Sequence, residues 1–350
     1  MITTVVLSGS AVIDLRAVTG SPDEDLLIAL NRRFLDLLLR HGILTGSTEE
    51  LRRLNAATDA LDDDDRAAWQ ELLVHLERNR RLFAADQPPP PSCLDDAAAL
   101  SDVSTLVPHG EHVAVVDTTR AAVLGLTPRV PATDVAGQEV VRSRSCTESP
   151  RLRNLEALAL RHMHPAGVTR NQFFREVLRP LAEVSQEVLI ADRYLFTELE
   201  HRAGRSNARL PEHVGWLLDQ LGKTSLPDTK VILAGGVGEG GQPADLRAAA
   251  QRVFEAWGST RGRVTCVEVR TAHWPDFSFR SQLAHDRHIA FDCGFAIQML
   301  AGFNRLRDKT LWDPNGTSWS YVTDPQAFEA LRDAEQRIRQ ADGSASTQVS

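Results

Sequence analysis

The stretch from His285 to Asp292, which reads HDRHIAFD, decides the fold class that we expect for the second half of the chain. Its apolar residues follow a charged start, and this pattern is typical of a strand. Alternate side chains of a strand point to the same face, so His285 and Arg287 would lie side by side. A second apolar run, Phe295–Leu300, follows Gly294, and the pair predicts a hairpin.

Strands and helices alternate on both sides of this stretch from residue 151 onward. Further strands are predicted at Glu187–Leu195, Lys230–Gly235 and Arg263–Arg270, and a helix lies between the first two at Glu212–Gly222. A glycine-rich loop is predicted from Gly235 to Gly241. Alternation of this kind predicts an α/β fold with a largely parallel sheet flanked by helices. The functional side chains of such sheets collect at the ends of strands.

Composition limits the class of protein and its surroundings. The chain has 350 residues, 42% of them hydrophobic and 25% charged, which suits about two globular domains. Its net charge of -8 argues against a protein that coats nucleic acid indiscriminately. The four cysteines form no close pair, the first residues lack the basic start of a secretory signal, and no apolar run is long enough to span a bilayer. We therefore expect a cytoplasmic protein without a transmembrane segment.

Four segments are predicted along the chain. Residues 1–130 form a separate N-terminal domain, either α/β or helical, of unknown role. Residues 131–150 are poor in large apolar groups and are interpreted as a connector. Residues 151–340 form the domain with the parallel sheet, and the polar tail 341–350 is predicted to be disordered.

The HDRHIAFD strand carries residue types that suit attack on a phosphodiester. His285 would be the nucleophile, Arg287 would hold the non-bridging phosphate oxygens, and Asp292 would orient a neighbouring polar group. Fixed cations neutralise the charge in such a site, so we expect no cofactor and assign no metal ligand. The alternative is a surface hairpin whose histidine and arginine pair with carboxylates.

This stretch and two flanking landmarks resemble the C-terminal phospholipase-D-like domain of MIT-domain-containing proteins. The landmarks are Val188–Leu195, a buried strand ending in Asp-x-Tyr, and Gly302–Asn304, a glycine-aromatic turn. The resemblance covers about residues 150–330 and implies a phospholipase-D-like α/β fold. It adds four candidate substrate-binding residues, which are Asp192, Arg193, Tyr194 and Asn304.

The resemblance does not by itself imply catalysis. Characterised eukaryotic relatives look like non-catalytic binders of membrane lipids, whereas active members with one motif dimerise so that two histidines face one phosphate. Arg287 stands where the superfamily expects lysine, which keeps the charge and changes its geometry.

Two main functions remain open after this comparison. The leading hypothesis is a metal-independent nuclease that acts through His285 in a homodimer, with a role in bacterial defence suggested by analogy alone. The alternative is a non-catalytic module on the same fold that binds phosphate, lipid or another partner. The expected partner is nucleic acid or a phospholipid head group.

A third hypothesis rests on the N-terminal domain. Asp14 and Asp117 each come after an apolar run that is interpreted as a strand. Carboxylates at neighbouring strand ends are how metal-dependent PIN-like nucleases hold Mg²⁺. The pattern supplies no convincing third or fourth carboxylate. The run Asp62–Asp65 is predicted to be a helix N-terminus, where the helix dipole favours acidic residues.

Overall fold

We describe the protein from a computed structural model. The chain divides into two compact units, Met1–Leu158 and Ala159–Ser350. The residues that the structure describes are 2–16, 20–84, 92–106, 112–135, 137–159, 163–164, 167–192, 194–196, 211–238, 241–242, 245–246, 248–249, 262–273, 287–299, 302–310, 317–322, 325–340 and 345–349.

Strands and helices alternate in the first unit. Its strands are β1 Thr3–Leu7, β2 Gly42–Gly46, β3 Leu82–Ala84, β4 His112–Val116, β5 Ala132–Val135 and β6 Gln138–Arg142. Its helices are α1 Gly9–Asp14, α2 Glu24–His41, α3 Thr48–Asp59, α4 Asp63–Arg78, α5 Leu100–Leu106, α6 Thr118–Val123 and α7 Pro150–Ala159, with 3-10 helices at Leu94–Asp96 and Ser143–Glu148. The N-terminal domain is therefore α/β, and the predicted helix start at Asp62–Asp65 is confirmed by α4.

The first sheet has six strands in the order β3-β2-β1-β4-β6-β5, and all pairs are parallel except β5 with β6. The chain builds outward from β1 through β2 to β3, and then returns to place β4 on the other side of β1. The boundary between β1 and β4 is thus a topological switch point, where parallel sheets open a crevice at the carboxyl ends of their strands. Apolar layers that include Phe34 and Trp69 on one face and Leu94 and Val103 on the other bury the sheet.

The interpretation of residues 131–150 as a connector is wrong. Strands β5 and β6 lie in this segment, and β6 pairs along its length with β4. Every residue of β6 is buried, although Gln138, Glu139 and Arg142 are polar. The segment has few large apolar residues, so its composition does not indicate a strand. Backbone pairing with β4 holds β6 in the sheet. The first domain accordingly extends to Leu158.

The second unit is also α/β. Its strands are β7 Met163–His164, β8 Glu187–Ala191, β9 Thr229–Val237, β10 Val264–His273, β11 His288–Phe291, β12 Phe295–Gln298, β13 Thr317–Ser318, β14 Ser320–Val322 and β15 Ala345–Val349. Its helices are α8 Arg170–Phe173, α9 Arg179–Ala182, α10 Glu212–Thr224 and α11 Pro325–Gln340, with a π-helical turn at Phe174–Leu178 and a 3-10 helix at Phe303–Leu306.

Seven strands of this unit form one sheet in the order β14-β12-β11-β8-β9-β10-β15. Strands β8, β9 and β10 are parallel, while β11, β12, β14 and β15 join antiparallel to their neighbours. The predicted hairpin is confirmed, since β11 and β12 pair around a turn in which Gly294 has a φ of 86°. Strand β11 is shorter than predicted, because it begins at His288.

Two further predictions for this unit are wrong. Gly235 and Gly236 do not open a loop, because β9 continues through them to Val237. A Cβ on Gly235 would lie 2.3 Å from the buried ring of Phe196, so glycine lets that ring pack against the strand. The tail is not disordered throughout, because β15 adds to the edge of the sheet through backbone pairing that needs no apolar side chains.

None of the described helices combines the length and the apolar character that crossing a bilayer requires.

Candidate active site

The predicted site in the second unit is described only in part. His285 and Arg193 lie outside the described residues. Asp192 and Tyr194 directly follow β8, and Arg287 directly precedes the antiparallel strand β11. This register brings the three side chains to the same end of the two strands, and we call them the Arg287 group.

Asp192 is the anchor of this group. It is 5% exposed, and its Oδ1 accepts a hydrogen bond from the Tyr194 backbone N–H at 2.8 Å. The same oxygen lies 3.4 Å from Nε of Arg287, and Oδ2 accepts from the backbone N–H of Phe303 at 3.4 Å. The Arg287 guanidinium also lies over the Tyr194 ring, 5.2 Å from its centroid. Asp192 therefore contacts the segment after β8, the turn that begins the 3-10 helix at Phe303, and the Arg287 guanidinium.

The other two predicted residues differ in position. Asn304 is exposed on the 3-10 helix that begins at Phe303, beside the Asp192 contact. Asp292 lies at the far end of β11, where its Oδ1 accepts from the backbone N–H of Gln186 at 3.1 Å. Five residues of extended chain separate it from Arg287 by roughly 16 Å. Asp292 therefore does not belong to the Arg287 group.

His288 faces away from this group. Its Nε2 lies 2.9 Å from Oε1 of Glu335 on α11. Neighbouring residues of a strand point to opposite faces of the sheet. His288 therefore contacts α11 on one face, and Arg287 points to the other face.

A second group of polar side chains lies at the switch point of the first unit. We call Glu50, Asp95, Asp96 and Asp117, together with Ser10, the acidic cluster. They come from the segments that follow β1, β2 and β4 and from the 3-10 helix Leu94–Asp96. Sequence reasoning named only Asp117, because Ser10, Glu50 and the pair Asp95–Asp96 lie far apart in the chain and only the sheet order brings them together.

Asp117 is held by the start of α6. Its Oδ1 accepts hydrogen bonds from the backbone N–H groups of Thr119 and Arg120, at 2.7 and 3.0 Å. This is an N-cap, which satisfies two of the free amides at a helix start. Its other oxygen, Oδ2, lies 2.7 Å from the Ser10 hydroxyl.

Ser10 joins two carboxylates, because its hydroxyl also contacts Oδ1 of Asp95. A serine hydroxyl has a single proton to donate. The two carboxylates therefore share that single proton. The backbone carbonyl of Asp95 accepts from Arg120, which fixes the 3-10 helix that carries this residue.

Glu50 is the most unusual member of the acidic cluster. It lies in the first turn of α3 and is only 2% exposed. Its Oε2 accepts from the backbone N–H of Leu94 at 2.6 Å, whereas its buried Oε1 has no hydrogen-bond partner among the described residues. Burial, with help from Asp95 and Asp96 and against the opposing Leu94 hydrogen bond, raises the pKa of Glu50 to about 8. A buried carboxylate with one free oxygen is costly unless a proton or a cation compensates it.

Asp14 is not part of the acidic cluster. The prediction that Asp14 ends a strand is wrong. It is the last residue of α1, and its Oδ2 accepts from the backbone N–H and the hydroxyl of Thr118, at 3.0 and 2.7 Å. Ser143 and Arg144 also contact it. Hydrogen bonds from Ser143 and Thr118 outweigh burial and lower the pKa of Asp14. Its carboxylate therefore joins α1 to α6 and to the 3-10 helix Ser143–Glu148.

Among the described residues, no group of three or more His, Cys, Asp or Glu side chains is arranged so that it could hold a metal ion. Two comparisons with known proteins, one with family models and one with curated sequences, gave no match.

Proposed function

We propose that the first unit is a metal-dependent nuclease of the PIN-like kind, with the acidic cluster as its active site. The observation that carries this proposal is Glu50, a buried carboxylate whose Oε1 has no hydrogen-bond partner among the described residues and which lies beside two aspartates. The cluster occupies the carboxyl ends of parallel strands at a switch point, which is where such sheets bind ligands.

The residues present fit a divalent cation. Mg²⁺ prefers oxygen ligands, and proteins usually supply one or two carboxylates while waters and substrate phosphates complete the shell. Glu50 and Asp95 would hold the ion as a pair, because no three acidic side chains of the described residues form a metal-binding set. Asp117 would orient Asp95 through the Ser10 hydroxyl. A cation there would activate water and neutralise charge on a phosphodiester.

Each residue of the cluster has its own part in this proposal. Glu50 would give up its proton when the cation binds, because the positive charge replaces the proton on the carboxylate. Asp117 is fixed in orientation by the amides of α6, and Ser10 keeps it beside Asp95. Backbone amides thus position Glu50 and Asp117, and the Ser10 side chain positions Asp95.

The test is cleavage of labelled single-stranded RNA and DNA with Mg²⁺ or Mn²⁺. We expect activity that EDTA abolishes and that Glu50→Gln and Asp117→Asn reduce by about 10- to 100-fold, the loss typical when a group that holds or orients a metal ligand is replaced. Glu71→Gln, an exposed change on α4, is the matched control and leaves activity intact. Activity that survives EDTA, or that is equal in Glu50→Gln and wild type, would overturn the proposal.

A second candidate function comes from the Arg287 group of the second unit. We infer a phospholipase-D-like domain there, either a metal-independent phosphodiesterase with His285 as nucleophile in a homodimer or a non-catalytic module that binds nucleic acid or a phospholipid head group. The cation stacked on Tyr194 at a strand end supports phosphate binding. Its pairing with Asp192 leaves less free charge for catalysis, which favours the non-catalytic form.

The same cleavage assay, run in EDTA, separates these forms. The catalytic form predicts activity that His285→Ala abolishes. The non-catalytic form predicts no cleavage, and binding to an oligonucleotide or to vesicles with phosphatidic acid that Arg287→Ala weakens. Neither cleavage nor binding under these conditions would refute both.

A further inference from the structure

Arg53 occupies the rim of the acidic cluster. It lies on α3, one turn after Glu50, and its side chain is 32% exposed. Both terminal nitrogens contact Asp96, Nη1 to Oδ1 at 3.1 Å and Nη2 to Oδ2 at 3.0 Å. Nε donates to Oε1 of Glu49 at 2.8 Å, and Nη1 lies 4.0 Å from Oδ2 of Asp95. The guanidinium therefore forms a two-point contact with one carboxylate while it faces another.

The two-point contact has the geometry that a phosphate would need. Arginine presents parallel N–H groups that match the two oxygens of a carboxylate or of a phosphodiester equally well. Asp96 is 47% exposed and also accepts from the Cys93 thiol at 3.0 Å. Asp96 would thus keep a partner if the guanidinium turned to another anion.

A cluster of carboxylates repels the polyanion on which a nuclease acts. A cation beside the cluster offsets this repulsion, and Arg53 is a cation already in contact with the rim. We propose that Arg53 is a substrate-binding residue, which exchanges Asp96 for a backbone phosphate of a bound nucleic acid. This inference rests on the nuclease function proposed above and names the group that holds its substrate.

The proposal predicts effects of opposite sign on two ligands. Removing the guanidinium takes away a phosphate contact, so nucleic acid binds more weakly. It also takes away a positive charge beside the carboxylates, so a divalent cation binds more tightly. A purely structural Arg53 would instead lower both affinities, because the site would lose its shape.

The chain offers a matched control at the preceding position. Arg52 has the same charge on the same helix, but it is 67% exposed and bonds to Glu49, at 2.8 and 2.7 Å. Arg52→Ala removes the same net charge without touching the cluster.

The experiment measures two affinities for wild type, Arg53→Ala, Arg53→Lys and Arg52→Ala. Fluorescence anisotropy with a labelled phosphorothioate oligonucleotide in Ca²⁺ reports nucleic-acid binding, and electron paramagnetic resonance reports Mn²⁺ binding. We expect Arg53→Ala to weaken oligonucleotide binding about tenfold, to lower its salt slope by about one, and to tighten Mn²⁺ binding severalfold. Arg53→Lys keeps the charge but loses the two parallel N–H groups. Its oligonucleotide affinity should lie between those of wild type and Arg53→Ala, and its Mn²⁺ affinity should match wild type. Arg52→Ala should change both affinities less than threefold, on the order expected of a remote charge.

The outcomes separate this inference from the proposed function. If wild type binds Mn²⁺ and Arg53→Ala leaves oligonucleotide affinity unchanged, the role of Arg53 is refuted and the metal site stands. If Arg53→Ala and Arg53→Lys lose both affinities together with thermal stability, Arg53 is structural. If wild type binds no Mn²⁺, the proposed function itself fails.

Discussion

Replacing Glu50 with glutamine changes the charge of the acidic cluster with little change in its shape. The pKa of the Glu50 carboxyl is raised by burial from an ordinary value of 4.5 to about 8. The folded state therefore keeps the proton where the unfolded state has lost it. The contribution of Glu50 to stability is fully present below pH 4.5 and is lost as the pH rises to about 8.

The size of the effect follows from this pKa. Each pH unit in that window costs the folded protein about 1.4 kcal/mol. The loss is about 3 kcal/mol at pH 7 and roughly 5 kcal/mol above pH 8. Glutamine carries no proton to lose, so Glu50→Gln should be more stable than wild type by these amounts in the absence of divalent cations. The two proteins should be equally stable near pH 4.5.

The measurement is urea unfolding in EDTA at several pH values, followed by hydrogen exchange of peptides from β1 and β4. These peptides assign the free energy of unfolding to the first unit. Glu71→Gln, an exposed change, should shift this free energy by less than about 0.5 kcal/mol. A difference between Glu50→Gln and wild type that does not depend on pH would refute the buried, protonated state of Glu50.

Two predictions concern the second unit. Gly235→Ala should destabilise it by about 2 kcal/mol in chemical denaturation, because the added Cβ would meet the ring of Phe196. Gly215→Ala on α10 is the control: its added Cβ meets no atom within 4 Å, so it should stabilise the unit by about 0.5 kcal/mol. Equal effects of the two changes would contradict the packing described. Asp192→Asn should destabilise by roughly 3 kcal/mol, since Arg287 loses a buried carboxylate, and a stability equal to wild type would show that this ion pair contributes nothing.

The α/β class and the β11–β12 hairpin could be predicted from the sequence because both depend on local pattern. Apolar runs and Gly294 suffice for the hairpin, and the alternation of strands with helices suffices for the parallel strands β8, β9 and β10 but not for the antiparallel strands beside them. Strand β6 could not be found in this way, because Gln138 and Glu139 hide it among polar residues. Its place depends on pairing with β4, which is distant in sequence.

The acidic cluster was missed for a similar reason. Glu50 reads as an ordinary acidic residue in the first turn of a helix, where the dipole favours it. Its burial goes with the approach of Leu94, which is distant in sequence and whose backbone N–H bonds to Oε2 of Glu50. The sequence pattern points to Asp14, because an apolar run precedes it. That run contains the end of β1 and a short helix, so Asp14 points to α6.

The most direct test of a cation site at Glu50 is calorimetric titration with Mn²⁺ at pH 7, in two buffers that differ in ionisation enthalpy. A carboxyl with a pKa of about 8 is mostly protonated at pH 7, so binding should release about one proton for each ion bound. We predict one bound ion with this proton release in wild type, and neither in Glu50→Gln. Binding without proton release, or binding that Glu50→Gln leaves unchanged, would contradict the assignment of the acidic cluster as a metal-dependent active site.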